Sequence, residues 1–564
     1  LTPDDIDAVE AHGTGTRLGD PIEAHALLNT YGRHHTPERP LYLGSLKSNV
    51  GHSQAAAGIG GLIKMVQAIQ HGELPRTLHA DQPSPHIDWD QGHVSLLTEH
   101  TPWPETDRPR RAAVSSFGVS GTNAHLIVEQ PPATEGSGED EASEQPNLPT
   151  VLTLSARSSG ALQTHAARIR AHLDERPEVP LSTVADALAA RAALPHRAVI
   201  VTRDRAQARE ALDAAAEGAP HPALVTGQAT DGEEGGTVFV FPGQGSQYPG
   251  MARTLYTTSP TFRDSIHACQ DALAPYIDFT IPDVLTQHPN APTLDRVDIV
   301  QPTLFAVLTA LAHHWQHHGI HPHAVIGHSQ GEIAAAHIAG ALTLQDAARI
   351  VALRSQALTT LEGHGAMASL TLPATQTQQL LTPWTNHLTI AAINGPHTTI
   401  VAGDTHAIDE LLTHCTHQNI HARKIPVTYA SHSHHIDTLH HHLTHTLKDI
   451  HPQPAHTPFH STVTTNPTNT QTLTADYWFN NLRQPVQLET TITKLLTTHH
   501  TLIEISPHPV LTPALTDTAH THTPDPTHIC ITHTLHRDHD DHHAFHTALA
   551  HLHTHHHTIT WPTT

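Results

Sequence analysis

The fold of this chain is decided by the stretch Ala324-Val325-Ile326-Gly327-His328-Ser329-Gln330-Gly331-Glu332. Its first three residues predict a short apolar strand, and the alanine-rich run from Glu332 to Leu342 predicts a helix. The segment between them fits the G-x-S-x-G pattern, in which a serine lies on a tight turn from strand to helix. The glycines let this turn close without a Cβ clash, and the start of the helix can hold an oxyanion. We therefore expect an α/β core with Ser329 as its nucleophile.

A serine nucleophile needs a base, but composition cannot choose one here. The chain has 59 histidines, which crowd its last third in runs such as His440–His442 and His555–His557. Metal binding is one interpretation of these runs. The histidines alternate mainly with threonine and follow no fixed ligand spacing. We therefore favour the interpretation that histidine replaces other polar residues on solvent-exposed faces. We expect no metal site and no bound cofactor.

Length, charge and cysteine content limit the classes of function. At about 100–200 residues per domain, the chain has room for about three or four domains. Its formal net charge of -24 argues against nucleic acid as a partner, because phosphate binding needs a basic surface. No apolar run reaches the length of about 18 residues that would predict a membrane span. Three separated cysteines predict no disulfide framework and a cytoplasmic setting.

Changes in composition divide the chain. Residues 1–130 alternate apolar strands with glycine-rich turns, and the run from Ala55 to Ile69 predicts a buried helix. A polar stretch over 131–149 predicts a linker, and a small strand-and-helix unit follows it. A larger α/β unit extends from Thr237 to about Leu515, before a tail rich in His, Thr and Pro. The first residues, Leu1–Asp5, contain neither Met nor a signal sequence and suggest a piece of a longer protein.

Four motifs of the larger unit resemble those of malonyl-CoA:carrier-protein acyltransferases and follow one another in that family's order. They are Phe241-Pro242-Gly243-Gln244-Gly245-Ser246-Gln247, the nucleophile segment Gly327–Gly331, Arg354, and Tyr429-Ala430-Ser431-His432. Three further segments are similar to the modular polyketide synthase branch of the family: Tyr477-Trp478, Asn481-Leu482-Arg483 and Pro485-Val486. The resemblance covers about Thr237–Leu515.

This resemblance implies the roles of the matching residues. His432 is the base for Ser329, and Arg354 binds the substrate carboxylate, which suits a planar guanidinium. The implied oxyanion donors are the backbone N–H groups of Gln244 and Gln330, and the implied pocket residues are Gln301, Asn394, Tyr429 and Ser431. The substrate is an acyl-CoA, and the acceptor is the phosphopantetheine thiol of an acyl carrier protein.

Family signatures favour methylmalonyl-CoA over malonyl-CoA as the extender unit. Methylmalonyl-type domains resemble this chain at Tyr429–His432, where malonyl-type domains usually have His-Ala-Phe-His. Gln330 and the segment Arg296–Gln301 also resemble the methylmalonyl group. Ser431 in place of Phe leaves room for the α-methyl group. The malonyl-type string does occur at His543-Ala544-Phe545-His546, but too far beyond Ser329 to contain the base.

Residues 1–130 resemble the C-terminal half of a ketosynthase. Its motifs are similar to His12-Gly13-Thr14-Gly15-Thr16, Lys47-Ser48-Asn49-Val50-Gly51-His52 and Phe117–His125. In that family His12 and His52 donate hydrogen bonds during condensation, and Lys47 orders the site. A ketosynthase also needs an upstream cysteine nucleophile, and no cysteine precedes Cys269. We therefore expect no condensation activity from this chain alone.

These resemblances imply a multidomain α/β slice of a type I polyketide synthase. We expect a partial thiolase-like ketosynthase half (1–130), a small α/β linker (131–236) and an α/β-hydrolase-like acyltransferase core (237–515). A ferredoxin-like subdomain is expected over about 367–427, and a post-acyltransferase segment that folds back onto the linker over 516–564. The implied partners are a carrier protein and the rest of the synthase chain, with a homodimer in the intact module.

Two alternatives remain open at this point. A thioesterase shares the G-x-S-x-G pattern but uses water as acceptor and needs an acidic third member. It has no reason to have Gln244 and Arg354 in this arrangement. A catalytically dead docking scaffold is the other alternative, against which the joint presence of Ser329, His432, Arg354 and Gln244 argues.

Overall fold

The structure is a computed structural model that describes residues 1–131, 148–229, 235–555, 557, 559 and 561. The chain divides into two compact units, Leu1–Ser143 and Glu144–Thr564. Within the described residues, no helix is both long and apolar enough to cross a membrane.

The first unit is built on a five-stranded sheet in the order β4-β2-β1-β6-β7. Its pairs are parallel except for the antiparallel pair of β6 with β7. The strands of this sheet are Ala8–Glu10 (β1), Leu41–Gly44 (β2), Val94–Leu96 (β4), Arg111–Phe117 (β6) and Asn123–Glu129 (β7). Two short strands, Glu73–Leu74 (β3) and Thr101–Pro102 (β5), form a separate antiparallel pair. The helices are Gly19–Thr30 (α1), Lys47–Val50 (α2) and Ala57–His71 (α3).

Helix α3 differs from the buried helix that the sequence predicts. It packs Met65, Ala68 and Ile69 into the core, but Ile59 is 55% exposed and Ile63 is 57% exposed. Polar residues mark the exposed side only in the last two turns, at Gln67, Gln70 and His71, so the apolar first half of the helix gives no signal of its exposed side.

The second unit begins with a small antiparallel sheet in the order β10-β9-β8. Its strands are Thr150–Ala156 (β8), His196–Thr202 (β9) and Leu224–Gln228 (β10), and its helices are Ser159–Glu175 (α4), Leu181–Ala189 (α5) and Arg205–Glu217 (α6). Helices α4 and α6 each begin at a side-chain cap, since Ser158 accepts from the N–H of Ala161 and Asp204 from that of Gln207.

The large domain of the second unit has a parallel five-stranded sheet in the order β17-β12-β11-β19-β20. Its strands are Gly236–Phe241 (β11), Ala324–Gly327 (β12), Phe459–His460 (β17), His499–Glu504 (β19) and Cys530–His533 (β20). Its helices are Arg253–Thr258 (α7), Pro260–Leu273 (α8), Ile281–Thr286 (α9), Val297–His317 (α10), Gly331–Ile338 (α11), Leu344–Thr359 (α12), His440–Thr446 (α15), Ala475–Arg483 (α16), Leu488–Leu495 (α17), Thr512–His522 (α18) and Asp541–Thr554 (α19).

A smaller second sheet has the order β16-β13-β15-β14-β18. Its strands are Ala366–Leu370 (β13), Leu388–Gly395 (β14), Thr398–Gly403 (β15), Ala422–Ile425 (β16) and Val486–Gln487 (β18), and its helices are Ala374–Leu380 (α13) and Thr405–His417 (α14). The first four strands pair antiparallel, and β18 adds a parallel edge from a distant part of the chain. This second sheet with its helices is called the small subdomain below.

The end of the chain belongs to the large domain more than its composition suggests. Strand β20 lies beyond residue 515, which the sequence predicts as the end of the acyltransferase, and pairs with β19 in the main sheet. Helix α19 buries Phe545 against Trp315, with ring centroids 4.8 Å apart. The guanidinium of Arg197 in β9 donates to the carbonyl of His553, so the same helix also packs on the small antiparallel sheet.

Candidate active site

Ser329 lies on the turn between β12 and α11, at φ 55°. The two glycines of the motif are required because neither position has room for a side chain. A Cβ on Gly331 would lie 2.2 Å from the carbonyl oxygen of Phe241, and one on Gly327 would lie 2.2 Å from the backbone nitrogen of Glu332. Helix α11 ends at Ile338, earlier than the predicted Leu342. Gly340, at φ 80°, turns the chain away shortly after the helix ends.

His432 is in hydrogen-bond contact with the nucleophile. Its Nε2 lies 2.9 Å from Ser329 Oγ, and its Nδ1 lies 2.7 Å from the backbone carbonyl oxygen of Gln484. Because a carbonyl can only accept, Nδ1–H donates to it and Nε2 is left free to accept the serine proton. Burial, reinforced by the charge of Arg354, lowers the pKa of His432 to about 3. The imidazole is therefore neutral, as a general base must be.

The third group of this arrangement is a backbone carbonyl, not a carboxylate. Sequence reasoning did not find it, because a main-chain acceptor can be supplied by any residue type. The carbonyl of Gln484 orients the His432 ring and fixes its tautomer. The absence of an acid at this position, among the described residues, does not match the triad expected of a thioesterase.

Arg354 in α12 is buried beside the serine, with 1% of its surface exposed. Its Nη1 donates to Asn481 Oδ1 at 2.7 Å, and its Nη2 donates to Ser329 Oγ at 3.2 Å. Its Nε has no hydrogen-bond partner among the residues that the structure describes. No ion pair to a carboxylate is formed by this guanidinium within the same residues, and burial lowers its pKa to about 10. It remains charged at neutral pH, and its charge is not balanced by a contacting anion.

Beneath the nucleophile lies a buried polar network that the sequence did not predict. Glu332 Oε1 accepts from the N–H and the hydroxyl of Thr462 at 2.7 and 2.5 Å, and the Tyr477 hydroxyl donates to Glu332 Oε2 at 2.5 Å. Glu332 is fully buried, and burial raises its pKa. The network ties α11 to the segment after β17 and to α16. A glutamate on a helix made mostly of apolar residues is the signal that could have indicated this network.

Two of the predicted pocket residues, Tyr429 and Asn394, form hydrogen bonds with other side chains. The Tyr429 hydroxyl donates to Gln244 Oε1 at 2.8 Å, and burial raises the pKa of Tyr429 to about 12, so the phenol stays neutral. Among the described residues, Asn394 makes no hydrogen bond to Ser329. Its Oδ1 lies 2.9 Å from His328 Nε2, and this contact joins the small subdomain to the nucleophile turn.

Three more of the predicted residues are buried: Gln301 and Gln330 are each 4% exposed and Ser431 is 8% exposed. The amide oxygens of Gln301 and Gln330 and the amide nitrogen of Gln330 have no partner within the described residues. Unpaired buried amides are rare in folded proteins and are expected where a ligand completes them. The backbone N–H groups of Gln244 and Gln330, the predicted oxyanion donors, make no hydrogen bond within the described part of the chain.

The residues of the ketosynthase-like unit also come together. The rings of His12 and His52 lie 5.7 Å apart, and His12 Nδ1 accepts from the N–H of Phe117 at 3.3 Å. Glu23 holds the turn after His12 by accepting from two successive backbone N–H groups. Lys47 and His52 line one cavity, and burial lowers the pKa of Lys47. The cysteines of the chain are all elsewhere, at 269, 415 and 530.

A serine on a tight turn, a neutral histidine in contact with it and a buried guanidinium without a carboxylate partner among the described residues form the arrangement that acyl transfer of the serine–histidine class requires. Comparison with known families agrees. The family described as "Acyl transferase domain" matches residues 238–559, more than half of the chain, and the chain belongs to it. "Beta-ketoacyl synthase, C-terminal domain" matches residues 1–81, and "Ketoacyl-synthetase C-terminal extension" matches residues 83–201.

Solved structures identify the type of acyltransferase. The acyltransferase domain from module 8 of the salinomycin polyketide synthase is 42% identical with a TM-score of 0.70, over 74% of this chain and 98% of that one. A loading acyltransferase from the avermectin modular polyketide synthase is 44% identical with a TM-score of 0.54, over 56% and 99%. The chain therefore contains an acyltransferase domain of the modular polyketide synthase type.

Curated relatives are much longer proteins. Polyketide synthase GfsB of Streptomyces halstedii is 50% identical over 541 residues, which are 92% of this chain and 10% of that protein. Erythronolide synthase EryA2 of Saccharopolyspora erythraea is 48% identical over 517 residues, 91% of this chain and 14% of that protein. The predicted family and the predicted multidomain α/β fold are thus confirmed, including the ketosynthase C-terminal part.

Proposed function

We propose that this chain transfers a carboxylated extender unit from CoA to the phosphopantetheine thiol of an acyl carrier protein, through an acyl ester on Ser329. The observation that carries this proposal is the guanidinium of Arg354. A buried charge without an opposite charge in contact is costly, so we expect a bound anion to pair with this guanidinium. The 3.2 Å contact of Arg354 Nη2 with Ser329 Oγ supports a position for that anion beside the reacting atom. A malonyl-type acyl group has such a carboxylate, whereas a plain fatty acyl group has none.

The proposed reaction has two half-reactions. His432 Nε2 accepts the proton of Ser329, and Oγ attacks the thioester carbon. The intermediate collapses with loss of CoA thiolate, which takes the proton from His432. In the second half, the carrier thiol gives its proton to His432 and attacks the ester, and Ser329 leaves as the hydroxyl. The backbone N–H groups of Gln244 and Gln330 stabilise the oxyanion in both halves.

Methylmalonyl-CoA is the proposed preferred extender, with malonyl-CoA second. The support is the segment Tyr429–His432, in which the small Ser431 directly precedes the base and is buried. One methyl group in an apolar pocket discriminates by about 1–3 kcal/mol, so some malonyl transfer is expected. The test is a competition between the two CoA thioesters at equal concentration, with the adducts resolved by intact-protein mass spectrometry. A clear excess of malonyl adduct would overturn the preference but not the transferase proposal.

Transfer and hydrolysis are separated by the fate of the acyl group. The acyl-enzyme formed from methylmalonyl-CoA is freed of excess CoA thioester and divided between buffer and a phosphopantetheinylated carrier protein. We expect the acyl mass to move to the carrier protein much faster than free acid forms. Equal release of free acid with and without carrier would indicate a thioesterase, and no acyl-enzyme at all would indicate a dead scaffold.

The remaining proposals about partners concern a longer synthase protein that contains this chain. The rest of the synthase chain is the context in which the ketosynthase-like unit acts, and the intact module is proposed to be a homodimer. By itself this chain is expected to be inactive in condensation, because residues 1–131 contain no cysteine to hold an acyl group. Formation of a ketide by the isolated chain would overturn this expectation.

A further inference from the structure

Asp404, His434 and His435 form a side-chain cluster outside the acyl-transfer site. One possible ligand atom from each residue lies within 4.8 Å of the others. Asp404 follows β15 and precedes α14 in the small subdomain. His434 and His435 begin the 3₁₀ turn His434–Leu439, two and three residues after the base. The cluster therefore joins the small subdomain to the segment that presents His432.

The carboxylate of this cluster is already oriented by hydrogen bonds. Asp404 Oδ1 lies 2.7 Å from His435 Nε2, and Oδ2 lies 2.7 Å from His387 Nδ1. His435 is held from the other side, because its backbone N–H donates to Ser433 Oγ. Two of the three ligands are thus fixed before any ion arrives.

We propose that Asp404, His434 and His435 bind one zinc ion, with water as the fourth ligand. Two imidazoles and one carboxylate are a common zinc ligand set, at about 2.0–2.2 Å from the metal. The Asp404–His435 contact must open slightly to admit the ion. His434 is exposed, with its ring edge-on to that of His435 at a centroid distance of 4.6 Å, so it can rotate towards the ion without disturbing packing. This departs from the expectation that the histidines bind no metal.

His387 is assigned the role of a positioning residue. Its Nδ1 contacts the Asp404 oxygen that His435 does not use, an arrangement in which an outer partner orients a metal-binding carboxylate. The bound ion would be held by Asp404 of the small subdomain and by His434 and His435 of the segment that follows the base. It would therefore connect these two parts of the chain. Because Asn394 of the same subdomain contacts His328, this connection reinforces the support of the nucleophile turn.

The binding test is a titration of the full chain with zinc alone, in competition with a chromophoric chelator. The other histidines give a background that is shared by all variants. We expect one tight site in the wild type, weakened more than about 100-fold in His434→Ala and about 10–100-fold in His387→Ala. His406→Ala is the matched control, because this imidazole lies two residues from Asp404 but is exposed and pairs with Glu410. Equal affinity and stoichiometry in all four proteins would overturn the proposal.

A second measurement does not depend on the chelator. Thermal unfolding is followed with and without zinc in the wild type, His434→Ala and His406→Ala. Zinc should raise Tm in the wild type and in His406→Ala and leave His434→Ala unchanged, since a ligand that binds only the native state stabilises it. Because His434 is exposed, we expect His434→Ala to fold as the wild type does and to report zinc binding. An equal rise of Tm in all three proteins would contradict a site at this cluster.

Discussion

Replacement of Arg354 by alanine tests the proposed recognition of the substrate carboxylate. The guanidinium is buried, contacts Ser329 Oγ and Asn481 Oδ1, and has no carboxylate partner among the described residues. Arg354→Ala removes the cation that we propose pairs with the free carboxylate of a malonyl-type group. Acetyl-CoA has no such carboxylate, so the two kinds of substrate should respond differently.

The expected magnitude follows from the burial of the group. A hydrogen bond to a charged group contributes about 1.5–3 kcal/mol, and full burial favours the upper end of this range. Acylation by methylmalonyl-CoA should therefore fall about 10–150-fold in Arg354→Ala, and that by acetyl-CoA should change little. Arg354→Lys should recover part of the loss, because lysine restores the charge without the planar fork.

The assay is the rate of acyl-enzyme formation, read as intact mass against time for each CoA thioester. Arg349→Ala is the matched control. This arginine is on the same helix, but it contacts the carbonyl of Thr446 and the carboxylate of Asp449 near the surface. Thermal unfolding of each variant checks the fold. Equal losses for both substrates in a folded Arg354→Ala protein would show that Arg354 is structural and would refute the argument.

Three further predictions follow from the structure. Ser431→Phe should shift the competition from methylmalonyl towards malonyl adducts, by filling the space before the base; an unchanged adduct ratio would separate Ser431 from specificity. Glu332→Ala should lower unfolding stability by roughly 3 kcal/mol, because Thr462 and Tyr477 lose their buried acceptor; Glu332→Gln should cost less in the same denaturation measurement, and equal stability of all three proteins would argue against the network. Acid should destabilise the fold. Burial lowers the pKa of His546 from 6.5 to about 4, so the stability due to its neutral form is present above pH 6.5 and is lost as pH falls towards 4. The stability lost through protonation of His546 is roughly 3 kcal/mol. Denaturation midpoints that stay constant from pH 7 to pH 5 would contradict this prediction.

The parts of the fold that the sequence predicts well are those with strong local patterns. The nucleophile turn is one example, since the strand, the glycines and the helix each have a distinct signal and the glycines prove to be needed for space. Strand β20 is the opposite case. Its Cys530 and Thr532 are buried, but the sequence of this segment predicts a polar tail, because His and Thr alternate through it. Its position comes from pairing with β19, which no local pattern reveals.

The same distinction holds within the site. The local pattern of strand, glycines and helix predicts Ser329, and the family resemblance adds His432 and Arg354. In the structure, His432 and Arg354 both contact Ser329. The carbonyl of Gln484 and the carboxylate of Glu332 were missed. The first is a backbone atom with no side-chain signature, and the second acts beneath the turn through partners more than a hundred residues away. Such partners become visible only when the long-range pairing of the chain is known.

Peptide mapping shows directly whether the acyl ester forms on Ser329. The wild type and Ser329→Ala are incubated with methylmalonyl-CoA, quenched in acid, digested and analysed by tandem mass spectrometry. The acyl group should be found on Ser329 of the wild type, and Ser329→Ala should remain folded and gain no acyl mass. An adduct on another residue, or equal acylation of the Ser329→Ala protein, would contradict this expectation.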